Sequence, residues 1–116
     1  MNQLDNLSDL NKTWLIDIDG VIFIHNNYLE HNKDKLVPGI KKLLKKIGKD
    51  DCLILLTARE EKYRDLTLNS LKKYKIKYNQ IIFNLPTGER ILINDEKPRG
   101  LKTAIAINTV RDKASY

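Results

Sequence analysis

Apolar residues in this chain fall into short unbroken runs and two staggered stripes, and polar residues separate them. Trp14 to Ile18 is the first run, with too little alternation for an edge, so it is predicted to be a strand buried on both faces. Cys52 to Leu56 is a second strand of the same kind. Gln80 to Phe83, Ile91 to Ile93 and Thr103 to Ile107 read as shorter ones. Between them lie two helical patterns. Pro38 and Gly39 open the first, whose apolar stripe is Ile40, Leu43, Leu44 and Ile47 with lysines opposite, and Gly48 ends it. The second runs from Glu60 to about Tyr74, with Tyr63, Leu66 or Thr67, Ser70, Leu71 and Tyr74 inward. Val21 to Lys35 carries Asn26-Asn27-Tyr28 and reads as a short hairpin or flap. Strands alternating with helices imply a parallel, three-layer α/β domain of about five strands. Only Asn84 to Arg90 separate the third and fourth strands, too few residues for a crossover helix. Seven extended residues span at most about 25 Å, enough to carry the chain back across the sheet.

Composition narrows this picture. The 116 residues make one domain, 1–116, with residues 1–11 a loose lead-in. A hydrophobic content of 41% beside 31% charged residues is that of an ordinary globular chain, and no apolar run nears the ~20 residues that span a bilayer. The polar start has no signal core, which points to the cytoplasm and away from membranes. The single Cys52 excludes an internal disulfide and reads as a core thiol. A net charge of +6 comes largely from Lys41, Lys42, Lys45, Lys46 and Lys49, and from Lys72, Lys73, Lys75 and Lys77. These read first as two solvated helix faces, and second as a field for phosphorylated or nucleic-acid partners. With aromatics at 7% and not interleaved with the lysines, a stacking platform for single strands is not indicated.

The chemistry lies at strand ends. Asp17 and Asp19 stand two apart where the first apolar run gives out, so both point to one side. Carboxylates placed there cost several kcal/mol unless compensated, and a divalent cation compensates them. Gly20 lets the backbone turn closely around such a site. The second strand ends in Thr57-Ala58-Arg59, and the fourth in Asn94-Asp95. Ligands of open α/β sheets bind outside the carboxyl ends of the strands, so the three clusters are predicted to share one rim. Two carboxylates, a hydroxyl and a metal set suit phosphoryl transfer, one carboxylate attacking phosphorus and the other moving protons.

Asp17-Ile-Asp19-Gly20-Val21 resembles the first motif of the haloacid dehalogenase superfamily of Mg²⁺-dependent phosphatases, Leu55-Leu56-Thr57-Ala58-Arg59 its second, and Ile91-Leu92-Ile93-Asn94-Asp95 its fourth. The resemblance covers about residues 13–108 and implies a Rossmann-like fold. It implies Asp17 as nucleophile and Asp19 as general acid/base. Mg²⁺ would be held by Asp17, the Asp19 carbonyl and Asp95, with Asn94 a further candidate. Thr57 would bind phosphate, helped by Gly20, Ala58 and Arg59. With a flap in place of a cap domain, the chain is similar to the small capless phosphatases. A phosphomonoester hydrolase acting on a small sugar phosphate or related metabolite is the first reading, and an open site leaves room for a homo-oligomer to close it. A polynucleotide-end phosphatase and a catalytically weak interaction module are the alternatives.

One motif departs from the pattern. The superfamily's third motif supplies a lysine, and the corresponding stretch here reads Phe83-Asn84-Leu85-Pro86. Lys97, two residues past Asp95, is the first replacement and Arg59 the second, though Arg59 reads equally as a helix-start residue or as a clamp on a second anionic group. Arg90 precedes the fourth strand, which puts it at the opposite rim, roughly 10–13 Å away, and discounts it. His25 and His31 read as surface-loop histidines, and Tyr28 as a residue of the flap tip.

Overall fold

The computed structural model describes residues 3–116. Met1 and Asn2 of the expected lead-in lie outside the described residues, and Leu4 packs against the core. Thr13–Asp17 (β1) and Cys52–Leu56 (β2) are the β-branched and apolar runs that favour a pleated surface. They pair in parallel, with Thr13 opposite Cys52 and Asp17 opposite Leu56. Gln80–Ile82 (β3) pairs in parallel on the other side of β2, giving the order β1-β2-β3. Parallel neighbours need long crossovers. Asn27–His31 (α1) and Ile40–Leu44 (α2) lie in the first crossover, and Arg64–Lys73 (α3), entered through a 3₁₀ turn at Glu61–Tyr63, lies in the second.

One face of the sheet carries the core. Ile16 and Ile18 pack with Leu53 and Leu55, and α2 adds Ile40 and Leu43 while α3 adds Leu71. The residues of the opposite face are more open, Leu15 at 48% and Ile82 at 43% exposed. The expectation that β1 is buried on both faces is therefore corrected. It is an edge strand among the described residues, with both helices contributing to the same core cluster.

The count of about five strands is also not met among the described residues, which form three. Residues 84–116 hold no helix or strand, and Ile91 to Ile93 stand largely in solvent. Strand propensity is expressed only where a sheet edge accepts the segment. Here the chain is held elsewhere: Arg90 pairs with Asp17, and Asn94 bonds to Thr103. The expected extended crossover to a fourth strand has no strand to reach, and the segment instead passes along the strand ends. Asn84 N–H donates to the Arg59 carbonyl and Leu85 N–H to the Thr57 carbonyl, beside the end of β2, and Arg90 then reaches the end of β1.

Candidate active site

β1 ends in Asp17, and the chain turns at once. Ile22 and Phe23 N–H both donate to the Ile18 carbonyl, and Gly20 N–H donates to the Phe23 carbonyl. Gly20 sits at φ 82°, a left-handed conformation that glycine adopts without a Cβ penalty. This turn leaves the Asp17 and Asp19 carboxylates partly exposed at the carboxyl rim. β2 ends beside it and delivers Thr57, whose hydroxyl donates to Asp19 Oδ2 at 2.7 Å and accepts the Arg59 N–H at 3.0 Å. Arg59 Nε donates to Asp19 Oδ1 at 2.9 Å. Both carboxylate oxygens of Asp19 are thus fixed by protein donors.

Arg90, placed at the far rim by the sequence pattern, lies at this one. Its guanidinium approaches Asp17 Oδ1 at 3.2 Å. The expectation failed because it counted back from a strand at 91–93 that does not form. Burial pushes the Asp17 pKa above its ordinary value, Arg90 pulls it down, and the net direction is upward.

Of the residues singled out in the sequence, Asp17, Asp19, Thr57 and Arg59 come together. Among the described residues, no hydrogen bond or ion pair joins Asn94, Asp95 or Lys97 to them. Asn94 Nδ2 donates to the Thr103 hydroxyl at 2.7 Å, that hydroxyl donates to the Asp95 carbonyl, and Lys97 forms a turn closed with Leu101 and Gly100. Thr57 and Arg59 are buried and engaged, Ala58 is exposed at the rim, and Gly20 N–H is already bonded. No group of three or more His, Cys, Asp or Glu residues placed to hold a metal occurs among the described residues. The fit to Mg²⁺ is therefore partial: the Asp17 and Asp19 carboxylates bring hard oxygen donors to one rim, and no third carboxylate joins them among the described residues.

One participant escaped the sequence reading. Asp34, in the flap, accepts a bidentate fork from Arg59, at 2.7 Å from Nη2 and 3.0 Å from Nη1. Tyr28, also from the flap, is buried with its ring 3.8 Å from the same guanidinium. Asp34 stands between Lys33 and Lys35, where the local pattern signals a solvated loop and no burial.

No family model and no curated protein matches the chain. A chain in the solved structure of the Pnkp1/Rnl/Hen1 complex is similar to it, with 28% identity over 75% of this chain and a TM-score of 0.55. The similarity spans 32% of that longer chain.

Proposed function

We propose that the chain is a phosphomonoester hydrolase of the haloacid dehalogenase type, acting at the rim where Asp17, Asp19 and Arg90 meet. The observation that carries this reading is the convergence of two strand-end carboxylates with a cation 3.2 Å from the first of them. Asp17 attacks phosphorus, forming an aspartyl-phosphate as the bond to the leaving oxygen breaks. Asp19 gives that oxygen a proton, then takes one from the water that cleaves the acyl phosphate. Arg90, in the role expected of Lys97, offsets the charge shared by Asp17 and the phosphoryl group. Thr57 and Arg59 hold Asp19 in place. Mg²⁺, held by Asp17 and the Asp19 carbonyl, would when bound neutralise phosphoryl charge.

The likeness to a chain of the Pnkp1/Rnl/Hen1 complex and the +6 net charge favour a polynucleotide end as substrate over a small sugar phosphate. The test is phosphate release, with Mg²⁺, from a phosphorylated oligonucleotide, sugar phosphates and a generic aryl phosphate, using Asp17→Asn as control. The expected result is Asp17-dependent turnover, best on the oligonucleotide and falling with salt. Wild-type release equal to that of Asp17→Asn overturns it. That outcome leaves the second reading, a non-catalytic module, which is favoured by the separation of Asp95 from the rim and the full engagement of Asp19.

A further inference from the structure

We propose that Asp34 is a positioning residue, which from the flap fixes the Asp19 carboxylate through the buried guanidinium of Arg59. The proposal rests on the role given to Asp19 above. The Arg59 and Asp34 side chains are 1% and 0% exposed, whereas Asp19 is 19% exposed at the rim. A guanidinium is planar, with its nitrogens in fixed relative positions. Once Nη1 and Nη2 are forked onto Asp34, the direction of Nε is set, and Nε is the atom that donates to Asp19. Thr67 takes a further Nη1 bond at 2.9 Å, and Tyr28 covers the face of the group. Flap, β2 end and β1 end are thus joined through one rigid cation.

A buried ion pair is by itself poor grounds for a role beyond stability, since apolar replacements often serve as well. Here the third guanidinium nitrogen leads to the candidate acid/base, which an apolar replacement cannot reproduce. Displacing the flap breaks the Asp34 fork and leaves the guanidinium held by Thr67 alone, so that Nε no longer fixes Asp19 Oδ1 while Thr57 still holds Oδ2.

A double-mutant cycle tests this. Asp34→Asn in the wild-type background is expected to lower kcat about 10- to 100-fold with KM changed less than about twofold, as expected of a misplaced catalytic group. In an Asp19→Asn background the same substitution is expected to change the residual kcat by less than about twofold. Equal losses in the two backgrounds, or a loss confined to KM, overturn the proposal. Should Asp34→Asn fail to fold, Asp34→Glu keeps the charge but displaces the fork and enters the same cycle. If the wild-type chain releases no phosphate, it is the hydrolase reading that fails. Amide exchange then decides the coupling. Faster exchange at Gly20 and Arg59 together with the flap supports it, and unchanged exchange at Gly20 and Arg59 overturns it.

Discussion

Asp51 ties the entry to β1 to the turn before β2. Its carboxylate accepts the Lys12 N–H at 3.0 Å, the Trp14 indole N–H at 2.9 Å and the Gly48 N–H at 2.8 Å. The Lys12 and Trp14 bonds, then that of Gly48, hold its pKa down to about 2, against an ordinary 3.8. A carboxylate with a lowered folded pKa contributes stability that is complete above about pH 4 and lost as pH falls toward 2. Asp51→Ala is expected to lower Tm at neutral pH and to flatten the fall of Tm between pH 4 and 2, read by Trp14 fluorescence. A variant with the wild-type slope through that window would show that these bonds are not what lowers the pKa. At this scale the sequence was informative wherever chemistry and local pattern coincided. Asp17 and Asp19 at a strand end could be read directly. Asp34 could not, because its burial comes from Arg59, 25 residues away, and not from its own neighbours. Arg90 was misplaced for a related reason: its position follows from the path of residues 84–90, which no periodicity encodes.

Among the elements, β2 was legible to the residue and β1 to within one, since each is a continuous apolar run bounded by polar turns. The second helix was read over its full course, and the structure resolves the open choice of inward residue in favour of Thr67 over Leu66. Ile91 to Ile93 has the same apolar character as the true strands yet pairs with none of them, so composition alone cannot distinguish a strand from a candidate without a partner. Two truncations separate these cases. Leu71, on α3, is fully buried in the core cluster, and Leu71→Ala is expected to cost about 2–5 kcal/mol. Ile93 is 91% exposed, and Ile93→Ala is expected to stay within about 0.5 kcal/mol of the wild type. Urea unfolding of both variants measures the contrast. A core-sized loss at Ile93 would mean that residues 91–93 pack in solution.

The whole molecule reflects the same division. Its radius of gyration is 14.9 Å, and its longest extent, 49 Å, is nearly twice the other two. A compact chain of this length is expected near 13 Å, so part of it lies outside the packed body. That part is the stretch from Glu89 to Lys102, exposed at every residue and lacking ladder bonds, while residues 13–83 carry the sheet and helices. Proteases cut where the backbone opens without breaking a cooperative unit. Limited trypsin digestion is therefore expected to cleave first after Arg90, Arg99 or Lys102. The lysines of α2 and α3 are as abundant and as exposed in side chain, but their backbone is helical and anchored to the core through Ile40, Leu43 and Leu71. If their bonds were cut first, the packed body would be the less stable part and the assignment of the two regions would be reversed. The digestion also bears on the site, because Arg90 is the cation beside Asp17 and the segment that begins with it is the one most open to cleavage. If the rim holds a phosphoryl group as proposed, adding inorganic phosphate is expected to slow the cut after Arg90, which pairs with Asp17 there, while leaving those after Arg99 and Lys102 unchanged.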